Sequence, residues 1–293
     1  MAETRLLHIV EGAGAVALYA FFRILPLELA SALGGLLGRT LGQCAAFNRR
    51  AHRNLRRALP ELGEAEERRI IRAMWDNLGR VVAEYPHLGK YRVYERGGRI
   101  EIVGAEHIRA QAAQGKPAIF FSGHFGNWEV PTLALTQAGL DVVEMYRAAN
   151  NPIVDRLISH SRGFVGSELA AKGSTGARRM LAAMKAGRHI AMLIDQKAND
   201  GIAVPFFGRY AMTMPSPAVF AQRFGCALVP VRVDRLKGAR FRITCEPPLD
   251  VALSGHAEAD TLAIMTKMNQ VIERWIRERP DHWFWVHRRW PDS

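Results

Sequence analysis

One octapeptide combines residue types that could carry out acid–base chemistry. The segment Ser122–Glu129 reads SGHFGNWE and places a histidine five residues before a glutamate. Imidazole is the base whose unperturbed pKa lies closest to neutrality, so His124 could take a proton from a hydroxyl as that hydroxyl attacks a substrate. A carboxylate on the other ring nitrogen would fix the tautomer and stabilise the imidazolium, which is the role predicted for Glu129.

The spacing of this pair requires a turn. On a continuous helix, five residues correspond to a rotation of about 140° from one side chain to the other, so the two would not face each other. Gly123 and Gly126 permit a tight turn, and Asn127 is a good N-cap residue. We therefore predict that a helix begins near Asn127 and that Glu129 folds back towards the imidazole. Backbone N–H groups at this helix start are candidates to stabilise an oxyanion.

The octapeptide follows a predicted buried strand. Ala118–Ser122 is a short apolar run after a Gly-Lys-Pro turn, and open α/β sheets bind ligands at the carboxyl ends of their strands. From Arg99 onward, alternating patterns predict an α/β sheet. Further strands are predicted at Val142–Tyr146, His189–Ile194, Ala227–Arg232 and Phe241–Cys245. Helices are predicted at Pro152–Arg162, from a Ser174 cap to Ala186, at Pro217–Phe224 and at Ala257–Arg279.

Composition limits the class of protein. The 293 residues suffice for one large α/β domain, with or without a helical extension, and a hydrophobic fraction of 48% excludes a disordered chain. The net charge of +12 suits an anionic partner, which could be nucleic acid, anionic lipid or an acidic protein. Cys44, Cys226 and Cys245 show no disulfide or zinc-ligand spacing and are expected to be reduced.

Residues 1–47 form an apolar entry segment. Charged residues such as Glu11, Arg23 and Arg39 interrupt it, so no uncharged run reaches the roughly 18–20 residues of a confident membrane-spanning helix. It also has no standard signal-peptide cleavage site. We predict one or two helices that lie in or dip into a membrane; the alternative is a helical hairpin packed on the main domain.

A basic amphipathic helix is predicted within the next segment. Residues 48–98 read as helical and basic, and residues 99–293 as the sheet core with a C-terminal helix. Over Arg49–Leu62, apolar residues fall on one side and arginines on the other. This face predicts contact with an anionic surface, although a solvated charged face would show the same pattern. The arginines are Arg49, Arg50, Arg53, Arg56 and Arg57.

These motifs resemble a known family. GHFGNWE is similar to the HX4(D/E) motif of the glycerolipid acyltransferase superfamily, and more narrowly the chain resembles the late acyltransferases of lipid A biosynthesis. An ordered set of segments over most of the chain carries the resemblance. It comprises Asn54-Leu55, Pro60-Glu61, Gly123–Glu129, Tyr146-Arg147, Asn151-Pro152, Arg162, Asp195-Gln196, Val204–Gly208, Thr213, Val229-Pro230 and Trp285–Trp290.

The resemblance implies both a fold and a reaction. It implies an α/β acyltransferase domain, with a mixed sheet flanked by helices and a membrane-associated N-terminal helix. The reaction implied is transfer from an acyl-carrier-protein thioester to a lipid A precursor at the cytoplasmic face of the inner membrane. Neither a cofactor nor a metal is implied, and nucleic acid is not expected as a partner.

The resemblance also assigns site residues. His124 is matched as the base and Glu129 as its orienting acid. The residues expected to bind substrate are Arg162, Asp195, Gln196, Arg147 and Asn127. From the residues themselves, His287-Arg288-Arg289 is a candidate for contact with lipid phosphates, since arginine binds phosphate bidentately. Trp283, Trp285 and Trp290 are expected in the core, and the alternative is an aromatic belt at a membrane interface.

Other functions remain open at this stage. The acceptor could be another membrane glycolipid or aminolipid, such as a phosphatidylinositol mannoside. A metal hydrolase would need a third ligand besides His124 and Glu129, and none is evident nearby in the sequence. A non-enzymatic basic protein that binds membranes or nucleic acid would also carry a net charge of +12. The sequence, however, contains no motif of a known nucleic-acid recognition module.

Overall fold

The elements of the chain follow a mixed α/β order. The computed structural model describes residues 2–291, with side chains from residue 8 onward; Met1, Asp292 and Ser293, included in the predicted domain bounds, lie outside the described residues. The helices are α1 (Ala2–Ile24), α2 (Leu27–Leu41), α3 (Asn48–Ala58), α4 (Glu64–Glu84), α5 (Ala105–Ala113), α6 (Val130–Gln137), α7 (Pro152–Gly163), α8 (Ser174–Lys185), α9 (Ser216–Phe224) and α10 (Ala257–Glu278). The strands are β1 (Ile100–Val103), β2 (Ala118–Ser122), β3 (Val142–Tyr146), β4 (Glu168–Ala171), β5 (His189–Leu193), β6 (Ile202–Phe206), β7 (Arg209–Thr213), β8 (Ala227–Arg235) and β9 (Phe241–Cys245).

Strands of the main sheet run in the order β1-β9-β8-β2-β5-β3-β4. All neighbours are parallel except β8 and β9, which are antiparallel, so the sheet is mixed as predicted. Every residue of β2 is buried, as expected for a central strand covered on both faces. The hairpin of β6 and β7 forms a separate antiparallel pair. The predicted α/β class is therefore confirmed.

Most predicted elements occur within a few residues of their expected bounds. Helix α7 begins as the sequence suggests, because the Asn151 side chain accepts the Ile153 N–H at 3.0 Å and Pro152 occupies the first turn. The predicted Ser174 cap is wrong, since Gly173 precedes α8 and Ser174 is already helical. The sequence did not predict strands β1, β4, β6 and β7, because runs of four or five residues give too little alternation to recognise.

The apolar entry segment folds into α1 and α2, which pack on the main domain. Asn151 donates to the His8 carbonyl at 2.8 Å, and Ser161 donates to the Tyr19 hydroxyl at 3.0 Å, so α1 lies along α7. None of the helices within residues 2–291 is long and apolar enough to cross a membrane. Association of this segment with a membrane therefore stays a prediction, as does the boundary after residue 47.

Helix α2 packs against α4 at very short range. A Cβ added to Gly79 would lie 2.0 Å from the Gly34 carbonyl oxygen, and one added to Gly38 would lie 2.1 Å from the Trp75 carbonyl oxygen. The Ser31 hydroxyl donates to Glu84 at 2.7 Å across the same interface. Side chains at these glycines would force the helices apart, so this stretch of the entry segment is fixed to the domain.

Much of the predicted basic face of α3 is engaged within the protein. Arg56 pairs with Glu67 at 2.8 Å, Arg57 donates to the Pro291 carbonyl at 2.7 Å, and Arg50 donates to the Val286 carbonyl at 3.4 Å. Arginines of this face therefore bond the C-terminal segment, and the face is also partly exposed to solvent. The predicted contact of this helix with an anionic surface stays a prediction.

Candidate active site

The pairing of two neighbouring strands brings His124 and Asp195 together. Strands β2 and β5 are parallel, with Ser122 opposite Leu193. His124 and Asp195 each lie two residues beyond these paired positions, so both side chains emerge at the carboxyl edge of the sheet. Gly126 has a φ of +49°, which supports the tight turn that the sequence predicts.

Asp195 holds the imidazole of His124. The Nδ1 atom of His124 lies 2.7 Å from Oδ1 of Asp195, and the backbone N–H of His124 donates to Oδ2, also at 2.7 Å. The indole N–H of Trp283 donates to Oδ2 at 2.8 Å. Burial alone would raise the pKa of Asp195, but the charge and hydrogen bonds of His124 outweigh it and hold that pKa well below its usual range. Asp195 is therefore a buried anion that accepts from Nδ1.

The predicted contact between Glu129 and the imidazole is wrong. Both oxygens of Glu129 instead accept from Arg162, at 2.7 Å each, and the Tyr85 hydroxyl donates to Oε1 at 2.5 Å. Burial raises the carboxyl pKa, but Arg162 outweighs burial and keeps the pKa of Glu129 below its usual value. Sequence proximity suggested the pair with His124, but the turn directs Glu129 away to a guanidinium from α7.

Asn127 is held within the protein and is not among the residues that line the cavity described below, so its contact with substrate stays a prediction. Its side chain is fully buried, donates to Glu84 at 2.8 Å and accepts the Glu129 N–H at 3.3 Å. Helix α6 begins at Val130 rather than near Asn127, because the preceding residues form the turn. The backbone N–H groups of His124, Gly126 and Glu129 already have acceptors, which removes them as free oxyanion donors.

A cavity opens in front of the imidazole. Among the residues predicted to bind substrate, Arg147, Arg162 and Gln196 line it together with His124. The amide of Gln196 lies 3.2 Å from Nε2 of His124. Asp195 lies behind the imidazole and is 1% exposed. Its side chain therefore contacts Nδ1 of His124 and does not face the cavity, where the substrate contact was predicted. The other lining residues are Glu144, Met145, Tyr146, Lys172, Met192, Leu193, Ile194, Ala198, Met214 and Pro217.

Glu144 is a buried carboxyl in the wall of this cavity that the sequence did not single out. Burial, only partly offset by Arg162, raises its pKa to about 7. The Ser167 hydroxyl donates to it at 3.1 Å. The signal in the sequence is a glutamate within the apolar strand β3, since buried acids are uncommon without a partner.

His287 lies beside the imidazole of His124 rather than at a lipid-facing surface. Its ring is 4.7 Å from that of His124, centroid to centroid, and nearly perpendicular to it. Burial lowers the pKa of His287 to about 3, so the ring is neutral at physiological pH. Arg289 of the same motif is 1% exposed and donates to Thr213 at 2.9 Å. The predicted phosphate contact by these two residues is therefore wrong.

The C-terminal segment supports the site from behind. Phe284 N–H donates to the His124 carbonyl at 3.2 Å, and Gly126 N–H donates to the His282 carbonyl at 3.2 Å. Trp283, Trp285 and Trp290 are buried, which confirms the predicted core positions. This segment and the turn therefore hold each other in place.

Comparison with known proteins shows the family of this chain. The family model for bacterial lipid A biosynthesis acyltransferases matches residues 2–292. The chain belongs to the bacterial lipid A biosynthesis acyltransferase family. The lipid A biosynthesis lauroyltransferase of Escherichia coli (strain K12) is 29% identical over 270 residues, which cover 86% of this chain and 83% of that protein.

Other relatives carry related names. The lipid A biosynthesis myristoyltransferase of the same strain is 25% identical and covers 92% of this chain and 84% of its own length. A crystal structure of the 1-acyl-sn-glycerophosphate acyltransferase of Thermotoga maritima aligns with 14% identity and a TM-score of 0.39, covering 88% of this chain and 96% of that one. Membership in the lipid A acyltransferase family supports transfer of an acyl group in lipid A synthesis.

Proposed function

We propose that this acyltransferase moves a fatty acyl chain from an acyl-carrier-protein thioester to a hydroxyl of a lipid A precursor at the cytoplasmic face of the inner membrane. The observation that carries the proposal is His124, whose Nδ1 is held by the buried Asp195 while the ring lines a cavity. Family membership supports the acceptor, and the donor follows from the resemblance.

The base in this reaction is Nε2 of His124. With the Nδ1 proton directed at Asp195, Nε2 carries a lone pair and points to the amide of Gln196. An acceptor hydroxyl that displaces this amide would donate its proton to Nε2 as its oxygen attacks the thioester carbonyl. The imidazolium formed in this step is stabilised by the anionic Asp195 at 2.7 Å.

The second step returns the proton. The tetrahedral intermediate collapses, the carbon–sulfur bond breaks, and the imidazolium protonates the departing thiolate. The products are an ester and the free thiol of the carrier protein, and His124 is neutral again. No Lewis acid is needed in this scheme, and acyl transfer is proposed to be independent of metal.

The cavity wall offers an apolar surface for the acyl chain and positive charge for phosphate groups. Apolar side chains from β5 and the segment before α9 offer a surface for an acyl chain; they include Met192, Leu193 and Met214. Arg147 and Lys172 supply positive charge near the same cavity for phosphate groups of the acceptor or of the carrier's prosthetic group. Arg162 lines this cavity too, but its guanidinium is committed to Glu129.

Exposed apolar side chains support membrane association of the entry segment. Helix α2 exposes Leu36, Leu37 and Leu41, with 42%, 42% and 65% of their surfaces accessible. Apolar area exposed on one element marks a contact with a partner or a membrane. The further exposed residues of this kind in the segment are Ile9, Val10, Val16, Leu18, Phe21, Ile24, Leu29 and Phe47.

The test is a reconstituted transfer assay. Purified full-length protein is given acyl carrier protein loaded with chains of different length and a lipid A precursor in mixed micelles, with product detected by mass spectrometry. The wild type should form one new ester, and the His124→Ala protein should be slower by about 10²–10⁴-fold. Transfer to another glycolipid or aminolipid but not to the precursor would move the proposal to that acceptor class. Equal turnover by His124→Ala would refute the mechanism.

A further inference from the structure

A third potential metal ligand lies beside the His124–Asp195 pair. One nitrogen or oxygen atom from each of His124, Asp195 and His287 lies within 4.8 Å of the other two. The Nε2 atom of His287 is buried and has no hydrogen-bond partner among the described residues. The sequence offered no obvious third ligand near His124, because His287 is distant along the chain and only the tertiary structure brings it to the site.

We propose that His124, Asp195 and His287 form a site for one divalent transition metal of the zinc class, and that metal bound there inhibits acyl transfer. Two imidazoles and one carboxylate are a donor set that zinc accepts, whereas calcium and magnesium prefer oxygen ligands throughout. Zinc bonds to nitrogen and oxygen of about 2.0–2.2 Å place tetrahedral ligand atoms roughly 3.4 Å apart. Nδ1 of His124 and Oδ1 of Asp195 are already closer than this, at 2.7 Å, whereas the limit of 4.8 Å for the three ligand atoms means that His287 would approach by at most about 1.4 Å.

The surroundings hold the carboxylate but limit the affinity. Asp195 accepts from the Trp283 indole and from the backbone N–H of His124, and such outer contacts orient a metal-binding carboxylate. Arg289 is 1% exposed and donates to the carbonyl of Gln196, the residue after Asp195, at 3.4 Å, so a buried positive charge lies close to the site and opposes a cation. We therefore expect reversible binding that a chelator removes.

Inhibition follows from the shared imidazole. If Nε2 of His124 coordinates the metal, its lone pair is no longer free to accept a proton. If Nδ1 coordinates the metal, it loses the proton that bonds to Asp195. In both cases the ring no longer acts as the oriented base. This part of the inference rests on the proposed function. The binding part does not, because it concerns only the three side chains.

The test uses chelator-treated full-length protein with the exposed Cys44 replaced by serine, which removes a surface thiol as a competing metal ligand. Zinc titration by calorimetry should give one site per chain, and cobalt(II) should give the absorption of a low-symmetry four-coordinate ion. In that background, His287→Ala and the polar His287→Gln should each weaken zinc binding at least tenfold. The matched control His256→Ala, at an exposed histidine, should leave it unchanged. Thermal melting checks that each variant is folded.

Two results would overturn the inference. Zinc affinities of both folded His287 variants within twofold of the background protein would exclude His287 as a ligand. Transfer activity that requires added zinc, rather than being inhibited by it and restored by chelator, would exclude the inhibitory role. If zinc binding depends on His287 while no acyl transfer occurs with any acceptor, the proposed function fails and the metal site stands.

Discussion

Nδ1 of His124 lies 2.7 Å from Oδ1 of Asp195, although 71 residues separate them in the chain. The contact arises because β2 and β5 are parallel neighbours and both residues lie at the same distance beyond paired positions. It assigns the orienting role to Asp195. Glu129, five residues from His124, has both oxygens bonded to Arg162 instead. These two carboxylates are therefore expected to give different mutant phenotypes.

Asp195→Asn should impair catalysis more than folding. An amide can donate to Nδ1 and favours the wrong tautomer of His124, so kcat should fall by about 10²–10⁴-fold while KM changes little. Steady-state kinetics with the acyl-carrier-protein thioester measures this. Asp200→Asn, at an exposed aspartate on the following loop, is the matched control and should keep normal kinetics. A kcat close to that of the wild type in the Asp195→Asn protein would contradict the assignment.

Glu129→Gln should instead reduce stability. The substitution leaves the buried guanidinium of Arg162 without its counterion, which typically costs about 3–5 kcal/mol in free energy of unfolding. Urea unfolding followed by circular dichroism measures the change. The control is Glu66→Gln, which breaks an exposed pair with Arg69 that solvent screens, so it should leave the free energy of unfolding nearly unchanged. Unchanged stability together with lost turnover would mean that Glu129 acts on the imidazole after all.

Glu144 should make stability depend on pH around neutrality. Burial raises its folded-state pKa from 4.5 to about 7, so the folded protein binds this proton more tightly than the unfolded chain. The resulting stabilisation is fully present below the unfolded pKa and is lost as the pH rises through about 7. Over this window the loss is at most about 3 kcal/mol. The difference in unfolding free energy between wild type and Glu144→Gln should therefore shift in favour of the variant from pH 5 to pH 8; a pH-independent difference would contradict the shift.

Membrane attachment should depend on the apolar face of α2. Replacing Leu36, Leu37 and Leu41 together with glutamine should reduce flotation with anionic liposomes at low and at high salt, because apolar insertion is not screened by ions. These substitutions leave the contacts of α2 with α4 in place, which removal of residues 1–47 would not. Replacing the exposed Leu253, far along the chain, is the matched control. Equal flotation of the triple variant and the control would show that this face does not bind lipid.

The close contact of α2 with α4 predicts a glycine-specific effect. Gly79→Ala would place a Cβ 2.0 Å from the Gly34 carbonyl oxygen, so the helices must separate and the unfolding temperature should fall. Gly14→Ala is the control, because a Cβ there meets nothing within 4 Å and alanine favours a helix by about 1 kcal/mol. Differential scanning calorimetry should show a lower melting temperature for Gly79→Ala alone. Equal melting temperatures would mean that the interface adapts.

The sequence by itself identified His124 as the candidate base and determined much of the architecture. An apolar run followed by Gly-His-Phe-Gly marks β2 and its turn, because both signals are local and depend on periodicity and backbone freedom. The buried positions of Trp283 and Trp285 followed from the same kind of reasoning, since large apolar side chains are rarely left in solvent when a core is available. The family followed from ordered motifs along the chain.

The tertiary structure decided which side chains surround that base. Asp195 and His287 meet His124 because β5 pairs with β2 and the C-terminal segment folds back over the turn. The order of the strands and the return of the C-terminal segment depend on the packing of the whole sheet. A local sequence pattern carries no information about which distant strand becomes a neighbour. Glu129 was predicted as the partner because it is near in sequence, but its charge, once buried, required the guanidinium that α7 brings beside it.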